Sequence, residues 1–223
     1  MVPVRRVVAL GFVAGYVDAV GVVDLHGLYT AAMTGNTTQL GIAVVRGNWS
    51  HAALTAETLA AFFAGGLLGS VIRRHLRHPP LELLIMAGLL LMAGVSRLHE
   101  GHLALVELPL LAMAMAMQGQ TVSRFGGLPI QTIVVTNTML KFADGLIGRY
   151  TSPRPSSESA DSPDRPAGIA DVIVPGCAWL VYLVGASSGA AAVSGLQAPL
   201  LVPVMVLTIT MCDLLLTSSH VHA

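Results

Sequence analysis

Eight apolar segments fill most of this chain, at residues 7–24, 28–45, 52–72, 81–96, 103–122, 129–147, 168–193 and 197–217. A helix crossing a bilayer needs about 20 predominantly apolar residues, with a working range of roughly 17 to 25. In lipid every backbone N–H and C=O must be paired within the protein, so apolar segments of this length are read as helices. Soluble domains carry roughly 25% charged residues. Here 11% of the 223 residues are charged, 54% are hydrophobic, and the mean hydropathy is +0.72. These values predict an all-α integral membrane protein.

The Arg5-Arg6 pair ahead of Val7 to Val23 imitates the start of a secretory signal, but no small-residue cleavage pattern follows, so this segment is expected to be the first spanning helix. Twelve basic and twelve acidic residues cancel, and no basic stripe stands out, so nucleic acid is not an expected partner. Cys177 and Cys212 both lie in apolar stretches, where neither a disulfide framework nor a four-ligand zinc site has a basis. His75 to His78 and His99-Glu100-Gly101-His102 are each short of ligands, so no metal and no cofactor is expected.

The second and sixth segments are interrupted by polar residues, Met33-Thr34-Gly35-Asn36-Thr37 and Val135-Thr136-Asn137-Thr138. Such breaks at membrane depth are tolerated where they are buried in protein or line a cavity, and each would leave half-helices or a re-entrant hairpin. Basic residues are retained on the cytoplasmic side and discriminate between the drawings. Eight crossings leave seven basic residues inside (Arg5, Arg6, Arg46, Arg97, Arg149, Arg154, Arg165) and four outside. If segments two and six return to the side they enter from, nine lie inside and only Arg46 and Arg97 outside, with Lys141 inside segment six. Six crossings plus two broken or re-entrant segments are therefore predicted, with both termini cytoplasmic.

Three crossings plus one re-entrant element form an odd unit, so a repeat of it must be inserted upside down. Setting Thr34 against Thr136 also sets Asp18 against Gln120 and Gly27 against Pro129. Gly65-x-x-x-Gly69 then falls opposite Gly185-x-x-x-Gly189, with Phe62 opposite Tyr182. Two inverted-topology repeats are predicted, residues 1–98 and 99–223, the second carrying a Pro-, Ser- and charge-rich solvated cytoplasmic loop over 149–166 that is expected to be disordered. Trp49 and Tyr150 sit where interfacial aromatic residues are expected.

Gly15-Tyr16-Val17-Asp18-Ala19, Met33-Thr34-Gly35-Asn36-Thr37, Gly126-Gly127-Leu128-Pro129 and Val134-Val135-Thr136 together resemble the YoaK-like family of small bacterial membrane proteins, catalogued as domain of unknown function 1275. The resemblance covers nearly the whole chain and implies a multi-pass protein of the bacterial cytoplasmic (inner) membrane. It implies no activity. Two positions depart from the family pattern: Asn137 stands where the second motif carries glycine, and Gln120-Thr121 where the preceding helix carries Gln-Asn.

Thr34 and Asn36 are N-cap residue types ahead of a helix-compatible stretch, Thr37 to Val45, so a helix N-terminus is expected inside the bilayer. Thr136, Asn137 and Thr138 aim a second one from the opposite side. Converging positive helix ends suit an anionic group such as a carboxylate, whereas small polar residues can also merely let helices approach and hydrogen-bond. The expected solute contacts are Thr34, Gly35, Asn36, Thr37, Thr136, Asn137, Thr138, Gln120 and Lys141. Asp18 is too deep in the first helix to reach water, and is read either as a proton-coupling group or as an anchor for the broken segment beside it.

The function predicted from these residues is a small secondary transporter or facilitator of a polar or anionic solute, with the bilayer as its other partner and a homo-oligomer left open. The alternative is a non-transporting membrane scaffold or chaperone-like partner protein. Gly185-Ala186-Ser187-Ser188-Gly189 matches the nucleophile-elbow string, but it lies in a helix and lacks a base, so no enzyme activity is expected.

Overall fold

Helices that are apolar on every side do not announce an inward face, so close packing between them depends on where small residues let backbones approach. The computed structural model describes residues 2–76, 79–97, 104–122, 135–150 and 169–219. These form α1 (Val2–Asp24), α2 (Met33–Val45), α3 (Trp49–Val71), α4 (Pro79–Ser96), α5 (Ala104–Val122), α6 (Val135–Tyr150), α7 (Ile169–Gly195) and α8 (Leu201–Ser219). A π-helical turn, Ile72–Leu76, extends α3. Three stretches are long and apolar enough to cross a membrane, Arg5–Asp24, Trp49–His75 and Val172–Gly195, and three shorter apolar helices accompany them.

The segments read from the sequence overlap these helices with shifts of a few residues at their ends, and the second and eighth start later, at Met33 and Leu201. Residues 25–32 are non-helical and α2 begins at Met33, so the Met33 to Thr37 string forms its first turn rather than the break itself. At 1.5 Å per residue the 13 residues of α2 rise about 20 Å, short of a hydrocarbon core of about 30 Å. Val135-Thr136-Asn137-Thr138 likewise forms the first turn of α6 rather than a break, while residues 129–134 of the sixth segment and the loop over 151–168 lie outside the described residues.

Glycines set the main helix pairs. α1 packs along α7 and α3 along α5, while α4 contacts both α5 and α8, α2 packs on α3, and α6 on α7. A Cβ on Gly185 or Gly189 would enter the backbone of Phe12 or Tyr16, and one on Gly65 would come within 2.5 Å of the Met113 carbonyl oxygen. The order Phe12 to Tyr16 against Gly185 to Gly189 makes α1 and α7 parallel.

Ion pairs tie the helix ends. Arg5 and Arg6 bond Asp213 near the end of α8, and Arg97, after α4, bonds both Asp24 at the end of α1 and Glu107 in the first turn of α5. The start of α1 and the end of α8 therefore share one face of the bundle, and Asp24, Arg97 and Glu107 the other. Between them a core of Leu10, Val13, Tyr16, Met86, Leu90, Leu111 and Met115 is closed to solvent and lipid. Gly185→Leu and Gly65→Leu should each destabilise the detergent-purified protein by about 1–3 kcal/mol or more through overpacking, read as a lower melting temperature. Gly66→Leu, where a Cβ meets nothing within 4 Å, should leave it nearly unchanged.

Candidate functional site

An irregular segment with apolar side chains can be buried only if its peptide groups find partners. After α1 the chain reverses at His26 and Gly27, whose φ angles of 59° and 76° lie in the left-handed region, and Leu25, Leu28 and Ala31 then insert into the core. Glycine adopts that conformation freely, and His26 is the exception to the rule at this turn.

Side chains from both flanking helices satisfy the loop. Asp18 Oδ1 accepts from the backbone N–H of Thr30 (2.8 Å) and of Ala31 (2.6 Å) and from Thr30 Oγ1 (3.0 Å). Its other oxygen accepts the Tyr182 hydroxyl of α7 at 2.6 Å. Asn36 works from the opposite side, accepting from Tyr29 N–H at 2.9 Å and donating to the Tyr29 carbonyl at 2.7 Å, so its amide pairs with the loop as a neighbouring strand would. Gln39, one turn further along α2, donates to the Gly27 carbonyl at 2.9 Å, and His51 Nε2 lies 3.2 Å from the Gln39 carbonyl oxygen.

The residues singled out in the sequence thus divide. Asp18 and Asn36 are buried and converge on the loop. Gly35 lies under the Tyr29 ring, which a Cβ there would meet at 2.9 Å. Thr34 and Thr37 are exposed, and the Thr37 hydroxyl donates back to the Met33 carbonyl at 2.8 Å. The N-cap of α2 is Ala32, without a side-chain cap, in place of the expected Thr34 or Asn36. In α6, Thr136, Asn137 and Lys141 are exposed and Thr138 is buried, while Gln120 falls in the last turn of α5. Because α2 packs on α3 and α6 on α7, the two half-helices do not pack extensively on one another.

Sequence reading missed Tyr182, Tyr29, Thr30 and Gln39 as members of the site. A signal existed for Tyr182, which precedes the Gly185 contact with α1 by one turn and so can reach a carboxylate on that helix. It also missed Gln118, fully buried in α5, which donates to the Leu10 carbonyl at 2.6 Å and whose Oε1 has no partner among the described residues.

Long apolar helices together with a broken segment bracketed by a buried carboxylate and a buried amide define a helical integral membrane protein. The chain belongs to the family described as protein of unknown function (DUF1275), whose model matches residues 7–212. It is similar to UPF0700 transmembrane protein RA0705 of Rhizobium meliloti (strain 1021), with 33% identity over 144 residues, or 65% of this chain. The match spans 61% of that relative's length. No solved structure matches the chain.

Removing the bracket should expose its worth. Asp18→Ala leaves two buried backbone donors unpaired at about 1–3 kcal/mol each, so it and Asn36→Ala should lower the melting temperature and speed amide exchange across residues 25–32. Tyr182→Phe, which deletes one donor and orphans no backbone group, should do so less.

Proposed function

We propose that the protein is a small secondary transporter or facilitator of a polar or anionic solute, built as two inverted-topology repeats, 1–98 and 99–223, with six crossings and both termini in the cytoplasm of a bacterial cell. The observation that carries this reading is the non-helical backbone of residues 25–32, with Leu25, Leu28, Thr30 and Ala31 buried, held by Asp18 and Asn36 beside a half-helix too short to cross. Transporters use discontinuous helices of this kind to bring helix ends to a solute near the midplane.

Packing supports the repeat. Exchanging α1 with α5 and α3 with α7 turns the α1–α7 pair into the α5–α3 pair, and each is closed by a glycine on the later-numbered or earlier-numbered partner in the matching place, Gly185 or Gly65. The α2–α3 and α6–α7 pairs exchange likewise. In this reading α2 with α3 and α6 with α7 are arms that rock about the α1–α5 centre. Thr34 and Thr37, with Gly35 and Asn36 behind them, face solute on one arm, and Thr136, Asn137 and Lys141, with Thr138 behind them, on the other, and Gln120 is assigned to the same site.

Asp18 supplies the coupling. As a carboxylate it accepts four hydrogen bonds. A proton on Oδ2 would oppose the hydroxyl hydrogen of Tyr182, so this bond would have to reverse, the carboxylic acid donating to the phenol oxygen, and the tie between α7 and the loop would change with the protonation state.

Proteoliposome flux after a thermal-shift solute screen tests the function. Uptake of a stabilising solute should fall at least tenfold in Asp18→Asn, which keeps an acceptor at Oδ1 and so spares the loop, and in Thr34→Val; unchanged uptake in both removes the assigned site. Topology is tested separately in a Cys177→Ser, Cys212→Ser background. Arg46→Cys should react with an impermeant maleimide from outside intact cells, and Arg74→Cys should not.

A further inference from the structure

A turn that uses up its own acceptors while keeping donors free favours an acceptor-rich ligand, and the α2–α3 turn is built that way. α2 ends with Gly47 at φ 67°, and the backbone N–H groups of Gly47 and Asn48 bond the carbonyls of Val44 (3.1 Å) and Ala43 (2.9 Å). This closure satisfies carbonyls that would otherwise face outward at a helix C-terminus. Beside it lies a cleft of about 360 Å³ lined by Gln39, Ile42, Ala43, Arg46, Asn48 and His51.

The amide side-chain acceptors in that cleft are committed. Asn48 Oδ1 takes the His51 N–H at 3.3 Å and the Ser50 hydroxyl at 3.0 Å, and the Gln39 carbonyl oxygen faces His51 Nε2. The Gln39 amide nitrogen is spent on Gly27. Unspent are the Asn48 amide nitrogen and the Arg46 guanidinium, which has no carboxylate partner among the described residues, unlike Arg5, Arg6 and Arg97. No acid lines the cleft, so its field is positive, and Ile42 and Ala43 give it an apolar wall.

We infer that this cleft is an oxyanion-binding site, with Arg46 as the charged donor and Asn48 Nδ2 as the second. A planar guanidinium pairs with carboxylate or phosphate oxygens through two parallel hydrogen bonds. The same chemistry fits a free oxyanion and the phosphate of an anionic lipid headgroup. The site is separate from the α2 first turn assigned to solute above, and its occupancy does not depend on transport.

The test uses the full chain in nanodiscs. In phosphatidylcholine discs, sodium phosphate at ionic strength matched with sodium chloride should raise the melting temperature by about 3 °C if the ligand is soluble. Phosphatidylglycerol discs without phosphate should do so if the ligand is a headgroup. Either gain should vanish in Arg46→Gln, an exposed position whose loss leaves the turn intact, and in Asn48→Asp, which keeps the helix cap while removing the amide donor and cancelling the local positive charge. Absence of stabilisation by both probes, or an Arg46→Gln response equal to that of the starting protein, overturns the site.

Discussion

Everything in the first half of this protein hangs on how the inward part of an eight-residue non-helical stretch is kept dry. Peptide groups at residues 29–31 would be prohibitively costly in hydrocarbon, and the chain supplies their partners from one carboxylate and one amide, Asp18 and Asn36. Given those bonds, Leu25, Leu28 and Ala31 can join the core, α2 can begin partway through the bundle, and α3 can start beside it. A charged group is expensive in such surroundings, but four donors converge on this one, so the arrangement is a satisfied network.

The rest of the architecture follows from backbone contact. Without a hydrophobic force between helices in lipid, packing must come from fit, and Gly65, Gly185 and Gly189 provide it by letting α3 and α7 lie against the main chain of α5 and α1. Large side chains such as Phe63, Leu67, Leu183 and Val184 are left on the outward faces, as expected where the surroundings are lipid.

The helices were legible because apolar length is a strong signal: the segments drawn at 7–24, 81–96 and 103–122 end within a residue or two of α1, α4 and α5 at their C-termini. The position of the break was less so. Leu28, Tyr29, Ala31 and Ala32 read as helix by composition, and the polar string after them read as the interruption. In fact Asn36 serves a loop seven residues earlier, a use that local propensity cannot reveal. Asp18 was legible as an interior group, and its role as an anchor was one of the two readings the sequence left open. Tyr182 was hidden because its partner lies 164 residues away. Arg46 carried only topological information in the sequence, since its isolation from every described carboxylate is a fact of three-dimensional placement.

The four bonds on Asp18 differ in how far along the chain their donors lie. Three come from residues 12 or 13 positions on and can form while the ribosome is still making the first hairpin; the fourth waits for Tyr182. Short closures are favoured over long ones by chain entropy. Assembly is therefore ordered: the loop seats on α1 early, and the arrival of α7 completes the carboxylate's shell and locks the first-made part of the molecule to nearly the last.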